Sequence, residues 1–303
     1  MSSAANVTTS NAAAKDALDP EEIFPFPLDD FQLEAIDALS QGHSVVVSAP
    51  TGSGKTLIGE YAIYRAISHG QKVFYTTPLK ALSNQKLRDF REQFGNENVG
   101  LLTGDLSVNR EASVVVMTTE IFRNMLYSEI DDDPLFKVET VVLDECHYMN
   151  DSQRGTVWEE SIIHCPSSVQ LVALSATVAN AAQLTDWIQK VHGPTQLVRS
   201  DYRPVPLQFS FCSAKGLHPL LNEQGTGLHP NSKIWRAPKG PKRKGRSPKP
   251  PQPESPAINY VLLQMAEREM LPAIYFIFSR RGCDRAVRDL GPQCFVSPSQ
   301  QAL

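Results

Sequence analysis

Between His43 and Val198 the chain alternates short apolar runs with helix-like segments, and this alternation limits the fold more than any other feature. The runs are HSVVVSAP (43–50), QKVFYTTP (71–78), SVVVMTT (113–119), VETVVLDE (138–145) and VQLVALSAT (169–177). They are continuous and rich in β-branched residues. Strands buried on both faces of a parallel sheet read this way, because helices cover both faces. The intervening segments have helical spacing. In DDFQLEAIDALSQ (29–41), Phe31, Leu33, Ala35, Ile36 and Leu39 line one side, with Asp29 or Asp30 as N-cap. Residues 56–68 and KALSNQKLRDFREQF (80–94) read as two further helices. The expected fold is therefore an α/β domain with a parallel, doubly wound sheet.

Bulk properties exclude several classes. The net charge of −4 rules out a polybasic coat, so a nucleic-acid contact must come from a local patch or a shaped groove. No apolar run approaches the roughly 20 residues that span a bilayer, and no membrane partner is expected. Residues 1–21 lack the basic and apolar regions of a secretory signal and read as a disordered leader. Five cysteines without a C-x-x-C pair fit a reduced, cytoplasmic setting.

The first run leads into APTGSGKT (49–56), which opens a helix. This strand–glycine loop–helix order is the context of a phosphate-binding loop. Gly52 and Gly54 let backbone N–H groups wrap a phosphate, and the helix N-terminus adds positive potential. Pro50, Thr51 and Ser53 complete the loop. Lys55 would reach the β- and γ-phosphates of ATP, and the Thr56 hydroxyl would meet Mg²⁺.

The fourth run ends in VVLDECHYMND (141–151). Such a loop needs an acid at a neighbouring strand tip to hold Mg²⁺, mostly through water, and a second carboxylate to activate water. Asp144 and Glu145 are the candidates for these two roles. A rival reading combines Cys146, His147, His164 and Cys165 into a zinc site. Adjacent strand residues point to opposite faces, and zinc ligands are usually spaced further apart, so zinc is not expected.

APTGSGKT, DECH (144–147) and SAT (175–177) resemble motifs I, II and III of superfamily 2 helicases. The longer strings PFPLDDFQLEAI, TTPLKALSNQK, GLLTGD, MTTEIFRNML, LDECHYMNDSQRGTVWEE and LSATVAN resemble the superkiller-type DExH RNA helicases, above all their cyanobacterial and plastid branch. The resemblance covers about residues 22–285. It implies a RecA-like P-loop NTPase fold, ATP and Mg²⁺ as cofactors, and single-stranded RNA bound without regard to sequence. A monomer is expected. By resemblance, Gln32 reads the adenine edge and Phe26 stacks on the base, although a helix-surface glutamine and a core-capping phenylalanine remain alternatives. His147 links nucleotide state to a second domain, and Ser175, Ala176 and Thr177 couple hydrolysis to strand binding. Thr77, Pro78, Lys80, Gly104, Thr118 and Thr119, each after an expected strand, would grip the nucleic-acid backbone.

The expected domains are 22–200 as the first RecA-like domain, 201–257 as a linker, and 258–303 as the start of a second RecA-like domain. Within the linker, residues 233–249 carry eight Lys/Arg and no acid, and read as disordered. IYFIFSRRGCD (274–284) resembles the first strand and following motif of that second domain. Its later motifs, including an arginine finger, are not found in these residues, so this chain reads as truncated, with weak or absent turnover expected. The competing readings are a DNA helicase or translocase, and a non-catalytic ATP- and RNA-binding module that uses the basic segment.

Overall fold

The computed structural model describes residues 18–127, 135, 137–213, 215–230 and 256–290. Contacts divide the chain into two units, residues 1–205 and 206–303. The basic segment 233–249 and most of the expected leader lie outside the described residues.

The first unit is built on an eight-stranded sheet. In chain order the strands are β1 (Ser44–Ser48), β2 (Lys72–Thr77), β3 (Val99–Leu102), β4 (Ser107–Val108), β5 (Val114–Thr118), β6 (Val138–Leu143), β7 (Gln170–Ser175) and β8 (Thr195–Arg199). Their order across the sheet is β4-β3-β5-β2-β6-β7-β1-β8, and all neighbours are parallel except β3 and β4. The parallel, doubly wound expectation holds. The helices are α1 (Pro20–Ile23), α2 (Asp30–Ser40), α3 (Thr56–Ser68), α4 (Lys80–Phe94), α5 (Thr119–Leu126), α6 (Gly155–His164) and α7 (Ala181–Val191).

Strand side chains alternate between two cores. Val45, Val47, Val73, Tyr75, Val114, Val116 and Val142 pack with Leu39, Tyr61 and Phe90 of α2–α4. Val46, Phe74, Val115, Met117, Val141 and Leu143 pack instead with Phe122, Trp158, Ile162 and Ile188 of α5–α7. Both faces are apolar because both are covered, which is why the strands read as unbroken runs.

Two boundaries differ from the expectation. The leader ends earlier than residue 21, since Asp19 caps α1 by accepting from Glu21 N–H at 2.9 Å and Leu18 packs against the core. The expected strand over 138–145 stops at Leu143. Glu145 sits in the left-handed region (φ 52°, ψ 41°), and a 3-10 helix follows over Cys146–Asn150. Cys146 and His147 are thus not strand neighbours. Cys146 is fully buried, which pushes its thiol up to about 12.

In the second unit, β9 (Ser210–Ser213) and β10 (Gly216–Pro219) form an antiparallel pair inside the expected linker. Helices α8 (Ile258–Ala266) and α9 (Arg280–Leu290) follow. The run IYFIF forms no strand, among the described residues none pairs with it, and Phe276 is 82% exposed. A strand needs a hydrogen-bonding neighbour as well as a β-rich sequence.

Candidate nucleotide and nucleic-acid site

The C-terminal ends of the parallel strands share one edge, the usual ligand edge of open α/β sheets. The P-loop follows β1, the DECH segment follows β6, and the SAT segment follows β7, which lies between them.

In the P-loop, Gly52 and Gly54 have φ of +84° and +81°. A side chain would be strained at either position. At Gly54 a Cβ would also lie 2.9 Å from Gln32 Nε2. No side chain caps α3, and its first turn has no acid, so no carboxylate competes with an anion at this helix N-terminus. Ser53 Oγ is buried without a partner in the structure. Lys55 is 7% exposed. Its Nζ donates only a long 3.4 Å bond to the Pro50 carbonyl, and among the described residues it has no carboxylate partner. A buried, uncompensated ammonium is costly unless an anion joins it. The loop therefore fits a phosphate.

Asp144 continues the β2–β6 ladder one step past the strand, with its N–H donating to Thr76 O at 3.0 Å. Its Oδ2 accepts from Tyr75 O–H at 2.9 Å, and its Oδ1 accepts from Glu145 N–H at 2.9 Å. Burial pushes the Tyr75 hydroxyl well above its ordinary value, and the charge on Asp144 adds to this, so the phenol stays a donor. Lys86 of α4 lies over the Tyr75 and Phe90 rings at 5.4 and 5.5 Å and donates to Thr56 Oγ1 at 3.4 Å. Thr56 and Asp144 offer the hard oxygens that Mg²⁺ prefers.

Glu145 Oε2 is buried and receives no hydrogen bond. His147 Nδ1 lies 3.3 Å from it, at ion-pair distance but without hydrogen-bond geometry. We read Nδ1 as the acceptor of Ala176 N–H at 3.4 Å. A neutral imidazole then carries its proton on Nε2 and leaves the carboxylate oxygen open. An unpartnered carboxylate oxygen beside a phosphate cradle can accept a proton from water.

Gln32 is buried, unlike a helix-surface glutamine. Its Oε1 accepts from Asp29 N–H at 2.9 Å and its Nε2 donates to Gly54 O at 3.1 Å. One side chain thus closes a capping box on α2 and braces the P-loop. Phe26 is 53% exposed beside Phe24, with ring centroids 5.9 Å apart. Ser175 is buried and donates to Ala176 O at 2.8 Å, whereas Thr177 is exposed.

The expected nucleic-acid residues divide into two groups. Lys80 and Gly104 are exposed, and Lys80 pairs with Asp105. Thr77 and Thr119 are fully buried. Thr119 Oγ1 donates to Thr77 O at 3.3 Å, and Thr77 Oγ1 is 2.7 Å from Ser83 Oγ. Thr118 and Pro78 are also buried. Thr77 and Thr118 end strands rather than following them, and they pair across β2 and β5. The hydroxyls of Thr77 and Thr119 brace the loops from inside and do not face outward, contrary to the expected grip. Sequence reading missed Tyr75, Lys86 and Arg154 altogether. It also missed Arg203, which donates to Thr51 O at 3.3 Å from the expected linker.

Comparison with known proteins agrees with this geometry. The DEAD/DEAH box helicase family pattern matches residues 29–185. The DExH-box ATP-dependent RNA helicase DExH15, chloroplastic, of Arabidopsis thaliana is 46% identical over 88% of this chain and 26% of its own length. The probable helicase HelY of Mycobacterium leprae is 45% identical over 90% of this chain and 31% of its own. The chain therefore spans about a quarter to a third of these curated relatives. The structure of Mycobacterium smegmatis helicase Lhr bound to ssDNA and AMP-PNP shares the fold, with a TM-score of 0.57 and 23% identity over 93% of this chain and 38% of that one. With a sheet of this order, a P-loop of this geometry and a family match across 29–185, the chain belongs to the DEAD/DEAH box helicases.

Proposed function

We propose that this chain supplies the ATP-binding half of an ATP-dependent RNA helicase motor. The buried Lys55 ammonium, without a carboxylate partner at a glycine-shaped loop, carries the reading. It needs an anion, and the loop offers a triphosphate what it needs. The choice of RNA rests on the Arabidopsis relative, which is named as an RNA helicase.

Lys55 and the P-loop N–H groups hold and neutralise the phosphates. Thr56 and Asp144 would hold Mg²⁺, which would supply positive charge beside the phosphates. Once bound, Mg²⁺·ATP brings the phosphoanhydride bond whose hydrolysis drives the motor. Tyr75 fixes the rotamer of Asp144. Glu145 Oε2 accepts the proton of the attacking water. His147, through Ala176, links that acid to the segment Ser175–Thr177. Gln32 and Phe26 face the base, and Lys80 and Gly104 meet the backbone of single-stranded RNA, which is the same at every step.

ATP hydrolysis tests this on the domain joined to a complete second RecA-like domain, with single-stranded RNA, single-stranded DNA or neither. RNA should stimulate the rate, and Glu145→Gln should abolish it while leaving ATP binding intact. A rate indifferent to RNA, or stimulated by DNA alone, would overturn the proposal.

A further inference from the structure

The string DSQRGTVWEE has no role in the chemistry above, yet its arginine occupies a junction. Asp151 Oδ1 accepts from Gln153 N–H at 2.8 Å and Arg154 N–H at 3.0 Å, which fixes the turn after the 3-10 helix. Gly155 N–H then donates to Asp151 O at 2.8 Å. A Cβ on Gly155 would lie 2.2 Å from Met149 O, so only glycine allows this approach. The turn aims Arg154 away from the acids and towards the loops after β2 and β5. Its Nη2 donates to Pro78 O at 2.7 Å and pairs with Glu120 in the first turn of α5. Pro78 precedes Lys80, and Glu120 follows Thr118 and Thr119. The bond from Thr119 Oγ1 to Thr77 O closes the triangle from inside. Arg154 therefore ties three segments together, namely the one that carries Asp144, Glu145 and His147 and the two loops expected against nucleic acid.

We propose that Arg154 is the positioning residue that sets the spacing of these two loops for a phosphodiester backbone and locks that spacing to the DECH segment. This rests on the nucleic-acid reading above. Arg154 need not touch RNA. It is partly exposed, and its Nη2 is engaged by Pro78 O and Glu120. A charge-assisted bond of this kind is roughly twice as strong as a neutral one, so the link should be stiff. Losing it frees the Pro78–Lys80 turn from the start of α5. Lys80 and the backbone N–H groups then no longer meet successive phosphates together.

The test uses the 303-residue chain with a fluorescent single-stranded RNA, read by anisotropy, and Mg²⁺·ATP binding read by calorimetry. Arg154→Gln and Glu120→Gln should each weaken RNA binding about tenfold and leave ATP affinity within about twofold. The slope of log affinity against log salt should also flatten by about one, because Lys80 no longer reaches its phosphate. If Arg154→Gln does not fold, Glu120→Gln decides alone, since it keeps the bond to Pro78 and changes a partly exposed side chain to one of the same shape. Unchanged RNA affinity in a folded variant would overturn the proposal, as would an equal loss of RNA and ATP binding, which would mark Arg154 as a general structural brace. Wild-type chain that does not bind RNA would overturn the nucleic-acid reading itself, and this inference with it.

Discussion

At the scale of single residues, the site is defined by polar groups left without a partner. Lys55 Nζ, Ser53 Oγ and Glu145 Oε2 are buried and weakly bonded or unbonded. They cluster at one loop and strand tip, where a bound nucleotide and its water would meet them. Asp144 is the opposite case, satisfied by Tyr75 and Glu145 N–H. Tyr75→Phe strands a buried carboxylate oxygen and should lower stability by about 1–3 kcal/mol in urea unfolding. A variant as stable as wild type would show that the phenol does not hold Asp144. The cysteines give a second residue-scale prediction. Burial pushes the thiols of Cys146 and Cys165 up to about 12 from 9.0. Between about pH 9 and 12 the unfolded thiols lose protons that the folded ones keep, so stability should fall through that window and not below it. At pH 8 iodoacetamide should label exposed Cys283 and spare Cys146 and Cys165 until the chain unfolds. Labelling of all three at equal rates would contradict the burial.

At the scale of elements, legibility followed local chemistry. The expected ranges 56–68 and 80–94 are those of α3 and α4, and Asp29 caps α2. Those signals are local: a cap, an apolar period, a glycine loop. The strands were equally readable, because burial on both faces writes itself as β-branched runs. The DECH acids were assigned correctly to a strand tip but wrongly kept on the strand. The left-handed turn at Glu145, just before the fully buried Cys146, leaves no local mark in the sequence. Tyr75, Lys86 and Arg154 look like ordinary strand, helix and turn residues. Only the fold brings Tyr75 to Asp144 or Arg154 to Pro78, across 69 and 76 residues. The hairpin β9–β10 was hidden by the prolines before it. One prediction belongs here. Gln32→Ala removes the side-chain half of the capping box on α2 and the brace on Gly54 O together. It should cost about 0.5–2 kcal/mol by the lost cap alone and should also weaken ATP binding. Gln32→Glu keeps the acceptor for Asp29 N–H and loses the donor to Gly54 O, so it should retain more stability than Gln32→Ala.

At the scale of the whole molecule, the sheet order does the assembling. β7 lies between β1 and β6, so the SAT segment separates the P-loop from the acids and can touch both. Ala49 N–H donates to Ser175 O at 3.2 Å on one side, and Ala176 N–H reaches His147 on the other. β5 and β2 carry the two loops braced by Arg154 on the same edge. A single edge therefore joins the candidate nucleotide site to the loops proposed to meet RNA, with Asp144–Arg154 running between them. All of this depends on one claim, that the edge holds a triphosphate through Lys55. Calorimetric titration of ATP with Mg²⁺ into the 303-residue chain, alongside Lys55→Ala, tests it most directly. The account predicts saturable binding to the wild type and at least a tenfold loss in the variant, about 1.4 kcal/mol. Equal affinity in the two proteins, with both folded, would contradict it.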